Sequence, residues 1–169
     1  MKKHRFMVNP LLFGIALAVV LLSLTMVVVM LVIGRPGSAI VFFLLATAFL
    51  AAATGNGMIV SLEEEGIIRS VFGIRVSSLK WEETGEVGVC GIRPFHKKGS
   101  KRTGTLYLYF SREKMTEEQR FDMVLKWPPR GKAYMLFSQE RAAAAQLYWT
   151  EPLAFYNIGN LRIEERPKI

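Results

Sequence analysis

The chain has few of the side chains on which enzymes and metal sites depend. Its 169 residues include one cysteine, Cys90, two histidines, His4 and His96, and one aspartate, Asp122. A single cysteine excludes a disulfide framework and a multi-cysteine zinc or iron–sulfur site. No Gly-x-Gly-x-x-Gly fingerprint occurs, and Gly131-Lys132 lacks the glycine five residues earlier that a phosphate-binding loop requires. We therefore predict a protein that is not an enzyme and that takes no cofactor or metal.

The remaining chemically capable residues have structural interpretations. Cys90 lies within an apolar run, so we predict a small core residue rather than a nucleophile. Glu82, Glu83 and Glu86 are close in sequence, and we predict a solvated loop rather than a catalytic carboxylate pair. His96 stands in a basic segment without a second histidine nearby, so we expect no metal site there.

Charged residues are almost absent from the first third of the chain. No Asp, Glu, Lys or Arg occurs over 6–34 or over 36–62, and Arg35 alone separates the two stretches. Asn9 can cap a helix whose first residue is Pro10. The pattern predicts a transmembrane helical hairpin with spans over about 10–33 and 39–54, because a bilayer core needs about 20 apolar residues.

Small residues predict how the two helices end and meet. Pro36-Gly37 suits the centre of a type II turn, and Ser38 can cap the second helix. Helices in lipid pack through small side chains. Counting outward from the turn, the contacts expected at matching depth are Gly14 and Ala18 against Ala51, Ala52 and Ala53, and Ser23 and Thr25 against Thr47.

The basic residues beside the spans predict the orientation. Lys2, Lys3 and Arg5 precede the first span, whereas the connecting loop has Arg35 alone. The positive-inside rule then places both termini in the cytoplasm, in a multi-pass inner-membrane protein. A cleaved signal peptide is not expected, because the first apolar run is longer than the 7–15 residues of a signal-peptide core.

Short runs separated by turn residues follow the second span. Apolar alternation predicts strands over 58–62, 67–72, 74–79, 87–92, 105–110, 121–127 and 133–137. Thr116 to Gln119 matches a capping box that opens one short turn. Ser138 caps a helix predicted over 139–149, in which Leu147 packs on the sheet. We expect the tail after Pro152 to fray.

Several local sequences carry a resemblance to a known family. They are Glu65-Gly66-Ile67, the hairpin at Gly73, Leu79-Lys80-Trp81-Glu82-Glu83, Tyr107-Leu108-Tyr109-Phe110-Ser111 and the helix from Gln139. Over roughly 57–149 the chain resembles bacterial two-helix membrane proteins with a C-terminal pleckstrin-homology-like (PH-like) domain. The resemblance implies an α+β membrane protein: a helical hairpin over 1–56, then a small antiparallel β domain over 57–169 closed by a C-terminal helix. It implies no catalytic residues.

Two features are candidate binding surfaces. The first is a segment with five Lys or Arg and one aromatic residue, whose candidate contacts with anionic lipid are Arg93, Phe95, Lys97, Lys98, Lys101 and Arg102. The alternative is an exposed hairpin loop that only aids solubility. The second is the pair Tyr107 and Tyr109, on the face of their strand opposite Leu106. The alternative is core packing, which explains most of the aromatic residues of this domain. Nucleic acid is not an expected partner, because one short cluster lacks stacking aromatics.

The sequence thus predicts a non-enzymatic, membrane-anchored module that binds anionic lipid or a protein partner at the inner leaflet. The alternative is an accessory subunit of a larger membrane complex, assembled through the helical hairpin. Polar side chains on the outer faces of the spans would favour the alternative, and only Ser23, Thr25 and Thr47 are available.

Overall fold

The computed structural model describes residues 3–92 and 104–158. These residues form two compact units, one over Met7–Met58 and one from the rest of the described chain. The first contains two apolar helices, and the second contains antiparallel and mixed sheets with short helices. The predicted α+β class is therefore confirmed.

Two helices that are long and apolar enough to cross a membrane dominate the first unit, α1 (Pro10–Val32) and α2 (Pro36–Asn56). The predicted cap of α1 is confirmed, because the Asn9 side chain accepts a hydrogen bond from the Leu12 backbone at 3.1 Å. The predicted Pro36-Gly37 turn and Ser38 cap are wrong. The helix starts at Pro36 itself, whose fixed φ and missing N–H suit the first helical position. Its 21 residues are about 32 Å long, enough for a bilayer core.

The two helices meet along small side chains with a seven-residue repeat. The buried residues are Ala16, Val20 and Ser23 on α1, and Ala39, Ala46 and Ala53 on α2. Among the predicted contact residues, only Ser23 and Ala53 are buried, whereas Gly14, Ala18, Thr25, Thr47, Ala51 and Ala52 are exposed. Matching residues by their distance from the turn did not identify the contacts, because the rotation of each helix about its axis decides which side chains face the other helix.

The first sheet contains β1 (His4–Met7), β2 (Ile59–Glu63), β3 (Gly66–Val71) and β4 (Ile74–Lys80), in that order. Strands β2, β3 and β4 are antiparallel, with Ile59 opposite Ser70 and Glu63 opposite Gly66. Strand β1 was not predicted, because four residues within a basic tail give no clear alternation.

The second sheet has the order β7-β6-β5-β8. Its strands are β5 (Glu86–Ile92), β6 (Thr105–Ser111), β7 (Ala133–Leu136) and β8 (Ala154–Tyr156). Strand β8 runs parallel to β5, so the tail after Pro152 does not fray over these three residues. The Asn157 amide donates to the Gly91 carbonyl at 2.8 Å. The two backbones approach closely at this point, because Gly91 has no Cβ; a Cβ there would clash with the Asn157 carbonyl.

The predicted strand over 121–127 is wrong, because these residues belong mostly to helix α3 (Glu117–Leu125). The capping box is present, with Thr116 and Gln119 bonding each other's backbone N–H. Alternation was misleading because Met123 and Val124, adjacent in sequence, are both buried while Leu125 is exposed. Helix α4 (Gln139–Gln146) is capped by Ser138 as predicted, but Leu147 is half-exposed rather than packed on the sheet.

The helix contact generates the first test. We expect Ala46→Leu to destabilise the α1–α2 pair by about 1–3 kcal/mol, because its side chain overfills a close helix contact. Ala48→Leu is the matched control, since Ala48 is exposed on the same helix. The measurement is thermal unfolding of the full chain in detergent. Equal effects of the two substitutions would contradict the assigned contact face.

Candidate functional site

The basic segment predicted to contact lipid lies outside the described residues. This applies to Arg93, Phe95, Lys97, Lys98, Lys101 and Arg102, and also to His96. The strands on either side are described, and they pair up to Ile92 opposite Thr105. The segment therefore connects two neighbouring antiparallel strands, β5 and β6.

Tyr107 and Tyr109 pack in the core, as expected for most of the aromatic residues of this domain, and the alternative of an exposed binding surface is wrong. Their exposed fractions are 7% and 0%. They pack in an apolar cluster with Met115, Met123 and Val124, because α3 and the residues before it cover this face of the sheet. Both faces of β6 are consequently buried, and alternation alone cannot distinguish such a strand from one with a solvated face.

Glu86 is buried at the centre of a hydrogen-bond network and is not in a solvated loop. One carboxylate oxygen, Oε1, accepts from Tyr109 Oη at 2.6 Å and from Arg120 Nε at 3.0 Å. The other, Oε2, accepts from Arg120 Nη2 at 2.5 Å and from the Met115 backbone N–H at 3.0 Å. Four hydrogen bonds thus satisfy a carboxylate that is only 5% exposed.

The network also sets the protonation states of its members. Burial, the largest influence, would raise the pKa of Glu86, but the hydrogen bonds from Arg120, Tyr109 and Met115 together hold that pKa below its usual range. The hydrogen bond to Glu86 raises the pKa of Arg120. Burial, followed by the hydrogen bond to Glu86, raises the pKa of the Tyr109 hydroxyl. The resulting ion pair holds α3 against β5 and β6.

Cys90 has the environment of a core residue, as predicted. It is fully buried in the cluster that contains Tyr107 and Tyr109, and its thiol is free. Burial raises the pKa of the thiol to about 12, so the reactive thiolate form is suppressed at neutral pH.

A cleft of about 800 Å³ lies beside α3. Its charged lining residues are three acids and three bases, namely Glu113, Glu118, Asp122, Lys126, Arg130 and Lys132. Lys126 is paired with Asp122 at 2.7 Å, and Lys132 donates to the Ser111 hydroxyl at 2.9 Å. This balance of charge favours neither an anion nor a cation.

Over residues 3–92 and 104–158, no three His, Cys, Asp or Glu side chains are grouped as metal ligands would be.

The hairpin predicted at Gly73 is present between β3 and β4, but the exposure of its apolar tip was not predicted. Phe72, Ile74 and Val76 are 74%, 73% and 58% exposed. Phe72 has φ 49° and Gly73 φ 83° in a two-residue loop, since Val71 pairs with Ile74. Left-handed φ costs a residue with a side chain about 1–2 kcal/mol, and Asn or Asp usually occupies the first of these positions. The aromatic residue at position 72, where such a turn favours Asn or Asp, is the feature of the sequence that could have indicated this tip.

Comparison with models of known families, with curated proteins and with solved structures found no match to this chain.

The Glu86 network generates the second test. We expect Glu86→Gln to lower the free energy of unfolding by about 3–5 kcal/mol, because it leaves the Arg120 charge without its partner in a largely buried pair. Glu83→Gln is the matched control, since Glu83 faces Arg112 at 3.7 Å with both side chains half-exposed or more. That control should change stability by less than about 1 kcal/mol. Urea unfolding of the full chain in detergent, followed by tryptophan fluorescence, measures both, because all three tryptophans lie outside α1 and α2.

The same variant has a defined pH dependence. A carboxyl group with a lowered folded-state pKa stabilises above its unfolded pKa of about 4.3, and loses this contribution as pH falls through the folded value. The stability difference between the parent and Glu86→Gln should therefore be constant near neutral pH and shrink below about pH 4. A difference that grows on acidification would contradict the assigned charge state.

Proposed function

We propose that this chain is a non-enzymatic, membrane-anchored module of a bacterial inner membrane. In this proposal α1 and α2 span the bilayer, both termini are cytoplasmic, and the second unit is a PH-like domain that binds anionic lipid or a protein partner. The observation that carries the proposal is the apolar outer surface of two helices of bilayer length, on which side chains such as Leu22 and Leu44 are more than 60% exposed.

Such a surface is unfavourable in water. Burying apolar area is worth about 25 cal/mol per Å², and soluble monomers rarely expose patches larger than a few hundred Å². The hydroxyls of Thr25 and Thr47 donate to carbonyls of their own helices, Leu21 at 3.0 Å and Phe43 at 2.9 Å. These hydroxyls are therefore satisfied without a partner helix, and they do not favour the alternative function as a subunit assembled through the hairpin.

The order of elements supports the PH-like assignment. In the described chain, seven strands, β1 to β7, precede α4. The first four form one sheet, and β5, β6 and β7 lie together in the other. This arrangement resembles the bent antiparallel sheet with a closing helix that the sequence resemblance implies, with α3 and β8 as additions.

Charge supports an anionic partner for the segment between β5 and β6. Residues 93–102 include five Lys or Arg and no Asp or Glu, whereas the cleft beside α3 has equal numbers of acids and bases. Each cation close to an anionic leaflet is worth about 1 kcal/mol, within a Debye length of about 8 Å. Five such charges are sufficient for a measurable preference for anionic lipid.

The topology is tested with reporter fusions to the full chain. A reporter after Ile169 should be active in the cytoplasm, and a reporter after Arg35 should be active outside, because Lys3 and Arg5 hold the N-terminus inside. A C-terminal reporter active only outside would contradict the orientation. Extraction of the protein from membranes by alkaline carbonate would contradict the spans themselves.

Lipid binding is tested with the full chain in neutral detergent, titrated with dihexanoyl phosphatidylglycerol and dihexanoyl phosphatidylcholine. The parent should prefer the anionic lipid, and the preference should fall as salt rises. Changing Arg93, Lys97, Lys98, Lys101 and Arg102 to Gln should weaken binding of the anionic lipid at least about tenfold, since about 1.4 kcal/mol corresponds to a factor of ten.

The matched control changes five exposed cations elsewhere to Gln, namely Lys80, Arg112, Lys114, Lys126 and Arg130. It should retain the preference for the anionic lipid. If the parent shows no preference, or if both variants bind as the parent does, residues 93–102 are a solvated loop and the lipid-binding proposal fails.

A further inference from the structure

We infer that the tip of the β3–β4 hairpin, residues 72–76, inserts into the interfacial layer of the bilayer that α1 and α2 cross. This inference rests on the proposed membrane anchoring and extends it, because it names a second contact with the membrane, separate from residues 93–102. Four observations on the described residues carry it: exposure, backbone conformation, position in the sheet, and charge.

The first two observations concern Phe72. Its side chain is 74% exposed, and Ile74 and Val76 beside it are also largely exposed. Its backbone adopts a positive φ, which an aromatic residue rarely does and which Asn or Gly adopts more easily. An aromatic residue that is unfavourable for the turn and makes little packing within its own sheet indicates a contact outside that sheet.

The third observation is the edge of the sheet at which the tip lies. The register places Ile59 opposite Ser70, so the start of β2 and the tip share one edge. The chain between the end of α2 at Asn56 and the start of β2 is two residues long. Three residue steps of extended chain cover at most about 11 Å. The headgroup layer on each side of a bilayer core is about 5–8 Å thick, and a linker this short keeps the first residue of β2 near the end of the proposed span.

The fourth observation is an asymmetry of charge between the two edges of this sheet. The exposed Arg75 is beside the apolar tip, and no acidic residue occurs over 66–80. The opposite edge carries four exposed acidic side chains, Glu64 and Glu65 in the β2–β3 turn and Glu82 and Glu83 after β4, against one exposed lysine at the end of β4, Lys80. An anionic leaflet attracts the first edge and repels the second. Apolar and aromatic side chains next to a cation are the composition that interfacial anchors use.

The experiment places a nitroxide spin label on the full chain in nanodiscs of phosphatidylcholine and phosphatidylglycerol. Phe72→Cys and, separately, Ile74→Cys carry the label at the tip. Glu65→Cys is the matched control, since it lies in an exposed turn at the opposite edge of the same sheet. The unmodified chain is the blank, because Cys90 is fully buried. Collision rates with oxygen, which concentrates in lipid, and with a water-soluble nickel complex report the depth of each label.

We expect oxygen collisions to exceed nickel collisions at 72 and 74, and the reverse at 65. Equal, water-like accessibility at 72, 74 and 65 would overturn the inference. Immobilised labels at 72 and 74 that are shielded from both reagents would also overturn it, in favour of a protein contact. A label at Leu22→Cys in α1 distinguishes failure of the hairpin contact from failure of the membrane anchoring. If oxygen collisions dominate at 22 but not at 72, only the hairpin contact is contradicted. A water-accessible label at 22 contradicts the membrane anchoring itself.

Discussion

The buried carboxylate of Glu86 is the constraint on which the arrangement of the second unit depends. It joins the start of β5 to Tyr109 on β6, to the backbone at Met115 and to Arg120 on α3. A charge that is 5% exposed is costly unless its hydrogen bonds are complete, so these four segments are fixed relative to one another. With α3 held in place, Tyr107, Tyr109 and Cys90 form an interior, and β6 has no solvated face.

The surfaces left for binding follow from that arrangement. Tyr107 and Tyr109 are internal, and the cleft beside α3 has balanced charge. The exposed apolar residues of the described second unit are instead prominent at the β3–β4 tip, and the densest run of cations in the sequence is at 93–102. The tip and residues 93–102 both combine positive charge with an aromatic residue, and these are the two bilayer contacts that we propose.

Much of the fold was predictable where one periodicity dominated a segment. The helices from Pro10 and from Gln139, and the strands near 59–63, 66–71, 74–80, 86–92 and 105–111, agree with the prediction to within a few residues at the ends. The segment 121–127 was not predictable in this way, because its residues alternate in polarity and also fit a helix that buries Met123 and Val124. Strand β8 was missed because its pairing depends on close approach at Gly91, which no local pattern shows.

The sequence by itself determined the two apolar helices and the core position of Cys90. Few folds accommodate a long apolar run without charged residues such as 6–34. A single cysteine among apolar neighbours has no second cysteine with which to form a disulfide or a metal site. Only the tertiary structure decided that Glu86 is an internal ion pair rather than a loop residue, and that Phe72 lies exposed at a sheet edge. The physical reason is distance along the chain: Arg120 is 34 residues from Glu86, and Phe72 is exposed because of the register of β3 and β4. The local sequence shows that a charged side chain such as Glu86 is present, whereas the topology determines which distant residue lies close enough to pair with it.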